Sequence, residues 1–270
     1  MIDASFEIRH DTQALLGEGL FVQNGEIYWV DIESQRVFWE GDAFDLPEDI
    51  PSVILDKTED VLLIGTHRGI GGLASNGEFT LHFTLPGHDL DLFRLNDGCK
   101  LSDGSYLVGS MSRSNPAPMA GVIYHFDGAG VCQPWNWPCH IPNSFIELPD
   151  GSVLISDSLK QTVFKLDRSA PSSTPEIWYR TADGTAPDGG CLLPNGHIAI
   201  AIWNGCCIRV LDKNGQPVKD ITVPFRKPTN CKFDVKTGKL LVTSARVETD
   251  TNELYDYPLS GNLIALDIGL

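Results

Sequence analysis

Five polar residues recur at nearly one distance from a glycine. Asn96, Asn143, Asp188 and Asn230 stand eight residues before Gly104, Gly151, Gly196 and Gly238, and Glu18 stands seven before Gly25. Two carboxylates and three amide side chains brought to one place would offer oxygen donors only. Such a set suits a hard divalent cation, with charge from the carboxylates and neutral oxygens from the amide carbonyls. Taken singly, Asn or Asp ahead of a strand is accounted for by turn formation and local backbone bonding. The repeated offset argues for a shared site. Arg94 lies two residues before Asn96 and so faces the same way on a strand. A guanidinium there would bind hydroxyl or carbonyl oxygens; an Arg at the surface would show the same spacing.

Other chemistry has less support. The seven His, at 10, 67, 82, 88, 125, 140 and 197, form no HxH or HExxH spacing, which weighs against a His-rich zinc site. No GxSxG is present, so Ser110 and Ser112 read as structural. Tyr28, Trp29, Trp135 and Trp137 read as packing residues.

Residues at a constant offset need elements that repeat. Apolar strands recur, five after a turn glycine and DVLLIGT from Asp60: EIYWVDI, DVLLIGT, SYLVGSM, SVLISDS, HIAIAIW and KLLVTSA. A partner strand follows each, from RVFWE to GNLIALD, which makes six units. From Gly104 onward the glycines are 47, 45 and 42 residues apart. A period near 45 with four short strands per unit is the signature of propeller blades. The sixth unit ends one strand short at GNLIALDIGL, while SFEIRH at the start is a strand without a blade. The expectation is an all-β, six-bladed propeller, one domain over residues 1–270, closed by pairing of its N- and C-terminal strands. In it the first strand of each blade lines the channel, so the offset residues sit at one height. The glycine and proline content, 26 and 17 residues, agrees, and no 3.6-residue amphipathic segment stands out. RSNPAPM, from Arg113 to Met119, and the stretch from Ser169 to Pro175 read as loops within blades.

The net charge of −16 argues against nucleic-acid phosphates and anionic membrane surfaces as partners. Hydrophobic residues at 42% suffice for a buried core. No apolar run approaches a membrane span. The opening MIDASFEIRHD has neither a basic nor an apolar signal region, and the cysteines number seven, without a CxxC. The expectation is reduced thiols in the cytoplasm.

Several segments together resemble the gluconolactonase/regucalcin family, also called the senescence-marker-protein family. They are LGEGLFVQNGEIYWVDI from Leu16, RLNDGCKLSDGSYLVGSM from Arg94, IPNSFIELPDGSVLISDS from Ile141, APDGGCLLPNGHIAIAIW from Ala186 and KPTNCKFDVKTGKLLVTSA from Lys227. They lie in family order and span nearly the whole chain. The resemblance implies a six-bladed propeller with one divalent cation in its channel. It places the metal ligands at Glu18, Asn143 and Asp188, the acid/base at Asp188, and sugar contacts at Arg94 and Asn96. Three departures stand out. Leu20 replaces the usual Pro after G-E-G, and Ser144 replaces Gly after P-N. No acid occupies SNPAPMAG, where a substrate-binding glutamate is common.

The implied activity is metal-dependent hydrolysis of a sugar lactone, a small-molecule substrate. The cation is left open among calcium, magnesium, manganese, iron and zinc. Two alternatives stay open: an esterase or organophosphate hydrolase on the same scaffold, and a calcium-binding propeller without turnover.

Overall fold

The computed structural model describes residues 5–39, 41–114 and 118–269. Its strands form six four-stranded antiparallel sheets. The innermost strands, in blade order, are Gly17–Gln23, Pro51–Thr58, Phe93–Lys100, Pro142–Glu147, Ala186–Leu192 and Pro228–Asp234. Each packs against the next, and the sixth packs against the first, so the ring is closed. Burial falls outward along each blade. Strand Val153–Asp157 is buried throughout, whereas the outer strand Asp42–Asp45 is largely exposed. The hairpin glycines adopt the left-handed conformation their turns need, with φ of 87° at Gly104 and 81° at Gly151 and Gly196.

The apolar core is divided into six slabs, each built from two neighbouring blades. Tyr28, Val30 and Trp39 of blade one pack on Ile54, Leu62 and Leu73 of blade two. Leu20, Trp29 and Phe38 of blade one pack on Leu241, Leu263 and Ala265 of blade six, with Trp29 and Phe38 stacked at 3.9 Å. Leu20, at the position where the family has Pro, is thus a core residue. Trp135 and Trp137 pack in the slab between blades three and four.

Closure occurs in blade six. Phe6–His10 pairs antiparallel with Leu263–Leu266, with Phe6 opposite Leu266 and Ile8 opposite Ile264. The blade short of a strand at one chain end is completed by the other end, which covers an edge that would otherwise stay open. One short helix, Thr251–Asp256, was not expected. Asp250 caps it by accepting from the Glu253 amide, and none of its residues is buried, so no apolar period marked it. No helix among the described residues is long and apolar enough to cross a membrane. All seven cysteines are free. The Arg113–Met119 loop joins the second and third strands of blade three; its residues 115–117 lie outside the described residues.

Deleting residues 1–10 should lower the melting temperature by roughly 10 °C and promote self-association, since an edge strand loses its partner. Calorimetry and sedimentation velocity check this. An unchanged melting temperature would show that closure by this strand adds nothing.

Candidate active site

The inner strands do not run as regular ladders. Pairing slips by one residue between Glu18 and Phe21, Leu95 and Gly98, Asn143 and Ile146, Pro187 and Gly190, and Pro228 and Cys231. Each slip is a bulge that bends the strand and re-aims its side chains. All five offset residues lie at or beside these slips.

Upstream clips fix where the strands enter. Asp31, at the end of the second strand of blade one, accepts from the amides of Leu15 and Leu16, both at 2.9 Å, just ahead of Glu18. Asp157 does the same in blade four, accepting from the His140 amide at 3.0 Å ahead of Asn143. Gly19, with φ of 58°, lets the backbone turn after Glu18; a Cβ there would lie 2.8 Å from the Ser52 carbonyl oxygen.

Glu18, Arg94, Asn96, Asn143 and Asp188 all border one cavity of about 460 Å³. Its size is ordinary for a small-molecule site. A directed chain of hydrogen bonds runs along one wall. Arg94 Nη1 donates to Asn96 Oδ1 at 2.7 Å, Asn96 Nδ2 donates to Asn143 Oδ1 at 3.0 Å, and Asn143 Nδ2 donates to Ser158 Oγ at 2.9 Å. Ser158 Oγ in turn donates to the Pro187 carbonyl at 2.7 Å. Because Arg94 can only donate, it fixes the orientation of both amides in the chain.

Asn230 does not border the cavity. It is buried beneath, where its Nδ2 donates to Glu18 Oε2 at 3.3 Å and its Oδ1 has no partner. Its amide lies against Gly189, where a Cβ would come within 2.6 Å of the amide atoms and displace them.

Two acidic side chains meet at the cavity floor. Glu18 and Asp188 are 8% and 6% exposed, and the charge of Glu18 acts on Asp188. Burial, and then the charge of Asp97, pushes Glu18 up to about 7. Burial, and then the charge of Glu18, holds Asp188 well above the usual carboxylate range. Arg94 is drawn down to about 10 by burial. Among the described residues no three His, Cys, Asp or Glu side chains form an ion-binding group by themselves. The oxygens available here are two carboxyls supplemented by amide carbonyls.

The wall also contains residues that counting back from glycines does not reach: Glu33, Ser112, Arg113, Ser158 and Trp203. They lie at or just after the ends of second strands, which in an antiparallel blade reach the same end as the starts of first strands. Counting forward along those strands would have found them. Ser112, read as structural, lies at the wall, and its Oγ accepts from the Ser114 amide. Arg113 occupies the wall at the start of the segment that lacks an acid.

A closed six-bladed ring with a buried acidic floor defines a class. The chain matches the SMP-30/gluconolactonase/LRE-like region over residues 16–246 and belongs to that family. An L-arabinolactonase of Azospirillum brasilense is 30% identical to it, over 94% of this chain and 88% of that protein. A regucalcin of Xenopus laevis is 27% identical, over 89% of this chain and 86% of that protein. Among solved structures, that of a calcium-binding protein, regucalcin, from Agrobacterium tumefaciens superposes with a TM-score of 0.89 at 25% identity, over 97% and 93% of the two chains.

The two raised carboxyls set a pH dependence. Each contributes stability that is complete below its unfolded value and lost as pH rises through its folded one. Chelator-treated protein should therefore lose stability as pH rises from about 4.5 to 7, the interval between the ordinary and shifted values of Glu18. Asp188→Asn should raise stability at pH 7.5 by on the order of 1–3 kcal/mol, and the gain should shrink toward pH 4.5. Thermal melts across that range check this; a gain independent of pH would exclude carboxyl repulsion as its source.

Proposed function

We propose that this chain hydrolyses a sugar lactone, an aldonolactone, to the aldonic acid, with one divalent cation held by Glu18, Asn143 and Asp188. The observation that carries this reading is the pair of buried carboxyls facing each other below the Arg94–Asn96–Asn143 chain. When both ionise they repel strongly in so dry a place, and a cation between them removes that cost. The donors fit. They are oxygens only, two are charged, and the hydrogen-bond chain turns the Asn143 oxygen toward Asn96 rather than Ser158. The partnerless Asn230 oxygen lies just below. When bound, a cation of this kind supplies Lewis-acid polarisation of an ester carbonyl.

Asp188 is the general acid/base in this reading. Its carboxylate accepts a proton from water as the water oxygen adds to the lactone carbonyl carbon. The ring C–O bond then breaks, and Asp188 returns the proton to the departing ring oxygen. The products are a carboxyl group and a free hydroxyl on one open chain. Arg94 and Asn96 orient the ring hydroxyls, so the carbonyl carbon is presented to the water in one pose. The family membership and the lactonase among its relatives support the reaction class.

The apolar part of the wall, including Leu16, Ile32, Met111, Ile141, Leu159 and Trp203, supports a second reading: a less polar ester or an organophosphate handled by the same residues.

Acid release from a panel of pentono- and hexonolactones, aryl esters and organophosphates separates the two. It should be run on chelator-treated protein with each divalent ion restored in turn. Cation-restored hydrolysis of one sugar-lactone class is expected. Background rates throughout, with the ion demonstrably bound, would leave a cation-binding propeller without turnover. Asp188→Ala should lower kcat by about 1,000-fold or more with the fold retained. Arg94→Ala should raise KM for polyhydroxylated lactones about 10- to 100-fold, the worth of a charged hydrogen bond. Full activity in the first variant, or unchanged constants in the second, would remove that residue from its role.

A further inference from the structure

Below the cavity the channel holds two more charged groups, Asp97 and Lys232. Asp97 is 5% exposed and does not border the cavity. It lies inside the ladder slip of blade three, where the nearby amides of Gly98, Ser144 and Phe145 favour its charged form. Ser144 and Phe145 form the bulge next to Asn143 in blade four. The charge of Asp97 acts on both Glu18 and Asp188, so three buried carboxyls share one electrostatic neighbourhood.

Lys232 stands two residues beyond Asn230 on the inner strand of blade six, and its Nζ donates to the Gly190 carbonyl of blade five at 2.9 Å. Its charge reaches Asp97 and Cys99 of blade three, Cys191 of blade five and Cys231 of blade six. A single ammonium on an innermost strand is thus felt from three blades. At the mouth, the leading charge partner of Arg94 is Glu33. Below the mouth, the three carboxylates and one ammonium leave two negative charges, which one divalent ion neutralises.

We infer that Asp97 and Lys232 form the electrostatic floor of the cation site. Asp97, buried in the bulge of blade three, adds a third negative charge beneath the cavity. Lys232 offsets one of the three, which keeps the carboxyls tolerable to the fold before a cation arrives. This inference rests on the cation reading above.

The two residues should change cation affinity in opposite directions, which a merely structural role would not do. Calorimetric titration of calcium and of manganese into wild-type, Asp97→Asn, Lys232→Gln and Lys232→Arg proteins tests this. Asp97→Asn should weaken binding about tenfold or more, and Lys232→Gln should tighten it roughly three- to tenfold, by loss of attraction and of repulsion respectively. Lys232→Arg, which keeps the charge, should bind as the wild type does. Melts of the chelator-treated proteins supply a second readout. Lys232→Gln should lower the melting temperature, and adding Asp97→Asn to it should restore much of the loss. If the wild type binds cation and both neutral variants weaken it or leave it unchanged, the inference falls alone. If the wild type binds neither ion, the cation reading falls and takes the affinity claim with it. Additive melting shifts would then overturn the electrostatic pairing as well.

Discussion

A β-ladder occupies the amides that face its partner strand, and the inner strands here give up that pairing at one height. A buried amide without an acceptor costs about 1–3 kcal/mol. A buried carboxylate without donors costs more. In this channel each answers the other. The Gly19 amide donates to Glu18 at 3.1 Å, and the amide of Gly189 beside Asp188 and those of Gly98, Ser144 and Phe145 near Asp97 favour the charged forms of these carboxyls. The bulges therefore do more than re-aim side chains. They turn amide dipoles toward acidic residues that stay buried where six strands converge.

Ring closure makes this arrangement hard to relax. Each inner strand is gripped by two slabs of core, one on either side, and in blades one and four the entry is clipped by Asp31 and Asp157. Bonds between blades add to the grip: Thr229 Oγ1 donates to the Gly17 carbonyl at 2.5 Å, and Asn96 Nδ2 to the Pro142 carbonyl at 2.9 Å. Carboxyls that repel cannot move apart without opening the ring. The repulsion is held in the fold, and the oxygens remain fixed where a cation or a developing charge would meet them.

The blades and their closure were legible because turn glycines and apolar strands repeat. The height of the site was legible for a narrower reason. The hairpins of blades three, four and five have one length: Lys100, Glu147 and Leu192 pair with Tyr106, Val153 and Ile198. Counting back from their glycines therefore lands on Asn96, Asn143 and Asp188. In blade one Gln23 pairs directly with Glu26, a tighter turn, which is why Glu18 falls at a different offset. Asp97 was hidden by the same regularity. In an unbroken strand it would face away from Asn96; the slip puts both toward the channel, and slips have no spacing signature. Lys232 lies two residues after Asn230 on a strand that the glycine count already makes innermost, but a strand lysine has no spacing signature of its own. Trp203, Glu33 and Arg113 lie at or beyond the strand ends, where only the antiparallel geometry connects them to the inner strands.

The departures from the family pattern separate what the motif needs as geometry from what it needs as chemistry. Ser144 keeps the left-handed backbone that a glycine would adopt freely, with φ of 51°. That conformation costs a residue with a Cβ about 1 kcal/mol. It persists where the hydroxyl donates to the Asp188 carbonyl. That bond ties blade four, which carries Asn143, to blade five, which carries Asp188. A glycine there would relieve the strain and lose the tie. At Leu20 the proline ring is exchanged for a side chain that fills the slab against Leu263 and Ala265. Both substitutions keep the backbone course and move its support elsewhere, which is what a site built on strand irregularities requires: the position of the bulge is constrained, and the means of holding it is free to vary.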